Sequence, residues 1–148
     1  MSASAWRALT VYSRATNLLF RQVERELFPL CAEEGLGVIP YNPIAGGLLS
    51  GKHRPDAGPL AGTRFTHPTA GARYRERYWH ERELGTVEAL RPLAAEAGMS
   101  MAQMAIAWVL ENPVVTAPIV GASRPEHASL TTRLDDLTRE YRWGDDIR

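Results

Sequence analysis

Lysine is almost missing from this chain, where sixteen arginines stand against one lysine, Lys52. Cysteine is nearly as scarce, with Cys31 alone, so no internal disulfide can form, and no spacing of Cys and His suggests a metal. The formal net charge is zero; that removes the electrostatic footprint expected of a partner for nucleic acid or for an anionic membrane surface. No apolar run approaches the roughly 18 residues of a membrane span. No repeat period is visible. The opening, Met1 to Arg7, lacks the charged-then-apolar build of a signal peptide, so the expected localisation is cytoplasmic. Any ligand must be won by local chemistry.

What is present is ordinary globular material: 148 residues, 45% hydrophobic and 23% charged, one domain's worth of chain able to bury a core. The most informative stretch runs from Val38 to Lys52. An apolar run of strand length ends at Pro40 and Tyr41, and Pro43, Gly46, Gly47 and Gly51 force turns over the residues that follow. In α/β folds ligands bind at such strand ends. Lys52 falls in this loop, which reads either as codon bias with one chance exception or as a place where a compact ammonium is wanted.

Before the loop, Leu9 to Tyr12 is compatible with a strand. Val23, Leu27, Leu30 and Cys31 recur at helical spacing from Gln22, and Gly35 supplies a stop. Cys31 belongs to the apolar face of that helix and reads as a packed thiol. After the strand Gly37 to Tyr41, residues 42–79 show no sustained periodicity, the mark of a lid or binding loop. Within them Arg73 to Trp79 interleaves cations with aromatics; a solvated helix face accounts for this better than a nucleic-acid platform does.

Helical pattern returns from Glu81 to Ala97, with Leu84, Val87, Leu90, Ala94 and Ala97 on one side and Gly98 as the stop. Ser100 and Gln103 form a capping box for a helix from Met101 to Glu111, apolar nearly all round and therefore expected to be deeply buried. Ala117 to Val120 reads as the next strand. It feeds Gly121, Ser123, Arg124, Pro125 and Glu126, where Ser123 and Glu126 make a second capping box. A helix start preceded by Gly and carrying Arg is a ready anion site, although an ordinary capped helix with a surface Arg explains the same residues. Short apolar strands alternating with helices predict parallel strands buried under helices. Too few strands are present to close a (β/α)8 barrel, which takes about 250 residues.

Several separated blocks resemble the aldo-keto reductase family: Asn17 to Arg21, Leu30 to Gly35, Val38 to Lys52, Trp108 to Leu110, and Pro118 to Glu126. They cover roughly residues 17–128 in the family's order, while residues 1–16 match poorly. The resemblance implies an α/β fold in the form of a partial (β/α)8 TIM barrel, its carboxyl-terminal half, and NADPH-dependent reduction of a small-molecule aldehyde or ketone. By the same resemblance Tyr41 stacks on the nicotinamide, and Asn42, Pro43, Ile44 and Ala45 run along the pyrophosphate. Lys52 and Arg64 are nearby cations, and Gly121, Ser123 and Arg124 hold the 2′-phosphate of NADP(H).

The departures are as informative. The family's catalytic Asp, Tyr, Lys and His belong to the amino half of the barrel, and no residue here matches them, His53, His67, His80 and His127 included. The span after Glu126 is shorter than the family's, as though the last helix were cut. The expectation is a family oxidoreductase that is inactive alone, with a non-catalytic NADP(H)-binding module or a structural module that self-associates through open barrel edges as alternatives.

Overall fold

The structure, a computed structural model, describes residues 11–122. Strand β1 (Val11–Tyr12) pairs in parallel with β2 (Gly37–Val38), Val11 opposite Gly37 and Tyr12 opposite Val38. The pairing continues past both strands: the amides of Ile39 and Tyr41 donate to the carbonyls of Tyr12 and Arg14, and Thr16 donates back to Tyr41. Residues 11–16, which the sequence blocks left unmatched, therefore form one edge of this parallel sheet.

A third segment lies on the other side of β2, but it is not the continuous strand expected over Ala117 to Val120. It touches the sheet through single parallel bridges, Val38 with Val115 and Tyr41 with Ile119. The reason lies in the central strand. Pro40 has no amide to donate, and the amide of Val38 goes to the Thr116 hydroxyl instead of a carbonyl. Ile119 and Val120 are also 53% and 41% exposed, so this segment is an open edge and not a strand buried under helices.

The helix expected from Gln22 is broken. A single 3-10 turn (Gln22–Glu24) is followed by α1 (Leu27–Glu34), with Pro29 in the first turn of α1. A proline ring at 29 would clash with the carbonyl of Arg25 in a continuous helix, whereas a first turn tolerates it. The break rotates the apolar face: Phe28 and Cys31 are buried, and Leu30 is 49% exposed. Gly35 closes the helix in the left-handed conformation, φ 64°.

Residues 42–79 are less irregular than their lack of periodicity suggests. They contain helical turns at Ala45–Ser50 and Arg64–Thr66, then α2 (Gly71–Tyr78). Turns this short cannot display a 3.6-residue repeat. On α2 the cations Arg73 and Arg77 are exposed while Tyr78 is buried and Tyr74 packs on the core, so one face is solvated and the other is not.

Helix α3 (Glu81–Glu96) buries Leu84, Val87 and Ala94 but leaves Ala97, beyond its end, in solvent. Helix α4 (Met101–Leu110) has the expected capping box, Ser100 Oγ accepting from the Gln103 amide at 3.2 Å and Gln103 Oε1 from the Ser100 amide at 2.9 Å. None of its residues is exposed. The main core joins α2, α3 and α4 to Ala45, Leu48 and Leu49, so the glycine-rich loop is itself part of the core. A second cluster, Val23, Phe28, Cys31 and Val38, packs α1 against the sheet.

Candidate functional site

Tyr41 is the point where the three parallel segments end together. It bridges Ala15 on one side and Ile119 on the other, and the Ile119 amide donates to the Pro40 carbonyl at 2.7 Å. Because all three run the same way, Tyr41 and the residues leading to Gly121 emerge from neighbouring strand ends, a strand spacing of about 5 Å apart.

Immediately after Tyr41 the chain turns at Asn42, φ 58°, in a region that side chains other than those of Gly, Asn and Asp rarely enter. A side chain distant in sequence holds that turn. Asn17 is fully buried; its Nδ2 donates to the Asn42 carbonyl at 2.9 Å, and its Oδ1 accepts from the Leu19 amide at 3.0 Å. The Tyr78 phenol shares this environment. Burial pushes its pKa up, partly offset by hydrogen bonding with Asn17 and Asn42.

The loop beyond is strained and fixed. Ala45, Gly46, Gly47 and Gly51 have φ of 50°, 67°, 108° and 73°. The strain is held by burial of Leu48 and Leu49 in the core and by Ser50 Oγ donating to the Gly47 carbonyl at 2.6 Å. Its amides are largely satisfied within the loop: Ala45 donates to the Asn42 carbonyl, Gly47 and Leu49 to that of Ile44, and Gly51 to that of Leu48. Pro43 and Ala45 are buried, whereas Asn42 and Ile44 are half-buried.

Lys52 is exposed, and its Cε lies about one van der Waals contact above Gly47, 4.0 Å from where a Cβ would stand. Its loop is pinned from below by Arg91, whose Nη2 donates to the carbonyls of Gly51 and His53 at 2.6 and 3.1 Å. Next to Lys52, the His53 ring is 1% exposed and packs edge-on against Phe65 and Trp79, with centroids 5.1 and 5.0 Å away. Neither ring nitrogen has a hydrogen-bond partner. Burial, and secondarily the Lys52 charge, lowers its pKa.

Arg64 is exposed too and stands beside Gly121: a Cβ on that glycine would lie 3.6 Å from Arg64 Nη2. The structure thus brings Arg64 next to the far strand end. Ser123 and Arg124 lie outside the described residues. Sequence reasoning gave no role to Asn17, Tyr74, Tyr78 or Arg91. Asn17 was visible inside a matched block, but nothing in its neighbours announces a partner at Asn42. Among the described residues no group of three or more His, Cys, Asp or Glu is placed to hold a metal ion, and no single helix is long and apolar enough to cross a membrane. A concavity lined by Thr16, Arg21, Phe28 and Trp108 includes none of the loop residues.

The sequence model of the aldo/keto reductase family matches residues 2–136. The chain belongs to the aldo-keto reductase family. It is 28% identical over 144 residues to an aldo-keto reductase of Pseudocercospora fijiensis, covering 93% of this chain and 48% of that protein. It is 34% identical over 116 residues to aldo-keto reductase family 7 member A3 of Homo sapiens, covering 74% of this chain and 35% of that protein. A probable voltage-gated potassium channel subunit beta of Oryza sativa subsp. japonica is 39% identical over 112 residues, covering 73% of this chain and 33% of that one. In three dimensions the chain is similar to a glycerol dehydrogenase of Gluconobacter oxydans, with a TM-score of 0.58 at 22% identity, covering 93% of this chain and 45% of the other. That likeness concerns the fold. This aldo-keto reductase chain spans half or less of the length of the relatives it matches, and the family match takes in the first residues that the separated blocks omitted.

Proposed function

We propose that this chain supplies the carboxyl-terminal half of a (β/α)8 barrel and that its rim is one side of an NADP(H) site. On this reading Tyr41 lies against the nicotinamide. Asn42, Pro43, Ile44 and Ala45 line the pyrophosphate with Lys52 and Arg64, and Gly121, Ser123 and Arg124 receive the 2′-phosphate. The observation that carries it is the Tyr41–Ile119 bridge with the 2.7 Å Ile119 to Pro40 hydrogen bond, which makes the two strand ends neighbours. Two exposed cations, Lys52 and Arg64, fit an extended dinucleotide in charge.

Bound cofactor would supply hydride, and the chain's part is to hold and orient it. Reduction of a small-molecule aldehyde or ketone also needs a proton donor at the developing alkoxide. Tyr41 is occupied with the ring, the Tyr78 phenol is made a weaker acid by burial, and His53 is enclosed by aromatics. On this reading the chain alone is a family oxidoreductase without turnover, and its expected location is the cytoplasm. Titrating it with NADPH by fluorescence tests the site: saturable binding that weakens in Arg124→Ala supports it, and no saturable signal removes it. Reduction of a small aromatic aldehyde above a buffer control would overturn the inactivity.

A second reading has a specific observation in its favour. Val11 on one outer segment and Ile119 and Val120 on the other are 41–53% exposed, as expected of sheet edges that pair with another chain. Sedimentation as a folded monomer would end this self-association reading.

A further inference from the structure

Tyr74, on α2, joins the glycine turn to Arg64. Its ring lies directly on Gly46: a Cβ there would stand 2.5 Å from Tyr74 Cδ1 and 2.8 Å from Cε1, so only glycine admits the ring. Its hydroxyl accepts from Arg64 Nη1 at 2.9 Å, and the Arg64 guanidinium carbon is 5.7 Å from the ring centroid. Phe65 packs edge-on with the ring, centroids 6.2 Å apart. Arg64 Nη2, the nitrogen not bound to the hydroxyl, is the one beside Gly121.

The partner is chemically apt. Arg21, Arg54, Arg82 and Arg91 each lie within 4 Å of a carboxylate; among the described residues Arg64, like Arg14 on the Tyr12 hydroxyl, has no such acid and is held by a neutral hydroxyl. A carboxylate would cancel the charge; a phenol and an aromatic face orient it and leave it available. An unheld arginine of this exposure would sample many rotamers, and fixing it before a ligand arrives removes an ordering cost from binding.

We infer that Tyr74 is a positioning residue for the dinucleotide phosphates, holding Arg64 across the opening between the Gly46–Gly47 turn and Gly121. This rests on the NADP(H) reading above. The clamp also explains why an α2 with an exposed basic face keeps two tyrosines on its other face: Tyr78 faces the Asn17–Asn42 turn and Tyr74 the cation.

The test is NADPH titration of the full chain as Tyr74→Phe, Arg64→Ala and the double variant, with thermal unfolding of each. Phe keeps the ring on Gly46 and removes only the hydroxyl. The expected result is affinity about five- to tenfold weaker in Tyr74→Phe with unchanged unfolding, a shallower dependence on salt, and no further loss when the change is made in Arg64→Ala. Unaltered NADPH binding in Tyr74→Phe, or full additivity with Arg64→Ala, overturns the clamp while leaving the site in place. Failure of the unaltered chain to bind NADPH overturns the site and the clamp together.

Discussion

The Ile119 amide donates to the Pro40 carbonyl at 2.7 Å, and with it the third segment is held where Gly121 stands beside the loop that follows Tyr41. Ile119→Pro removes that donor at an edge where pairing is already sparse. The expected cost is about 1 kcal/mol by urea unfolding, with a larger proportional loss of NADPH affinity than of stability. Equal affinity in the variant would show that the third segment does not depend on this bond.

Gly46 and Gly35 separate two costs of a side chain. Both are left-handed, but a Cβ at Gly35 meets nothing within 4 Å while one at Gly46 runs into the Tyr74 ring. Gly35→Ala should lose about 1 kcal/mol from backbone conformation alone. Gly46→Ala should lose roughly 2–4 kcal/mol. Equal losses in urea titrations would mean that Tyr74 does not lie on Gly46.

His53 makes the fold acid-sensitive in a definite direction. Its folded pKa is below the ordinary 6.5, so between those two values the unfolded chain binds the proton more readily than the folded one. Stability is fully present above about pH 6.5 and falls as pH drops through that value toward the folded pKa. His53→Phe, which fills the same space between Phe65 and Trp79 without unpaired nitrogens, should flatten the urea midpoint between pH 7.5 and 5.5. An unchanged pH slope would assign the sensitivity to other groups.

Asn17 donates to the Asn42 carbonyl and accepts from the Leu19 amide. Asn17→Asp keeps the shape and the acceptor but sets an oxygen against the Asn42 carbonyl. A loss of roughly 2–3 kcal/mol is expected near neutral pH, with Tyr41 freed to move and NADPH affinity lowered. A neutral outcome in both assays would remove Asn17 from the support of the turn.

The local elements were written in the chain at short range. Ser100 and Gln103 announce the start of α4, Gly35 the end of α1, and the apolar run before Tyr41 its strand, because caps, glycine stops and side-chain period act between residues a turn or two apart. The same range limits what the chain shows: the apolar pattern from Gln22 runs across Pro29, which breaks the helix, and α2, at eight residues, is too short to show a period among its arginines.

The family was equally legible, as blocks in order. What only the tertiary structure decided is which side chains meet across those blocks: Asn17 with the turn at Asn42, Tyr74 with Gly46 and Arg64, Arg64 with Gly121, His53 with Phe65 and Trp79. No local periodicity encodes such meetings, since they depend on how parallel strands and the helices packed on them bring distant segments to one end of the sheet.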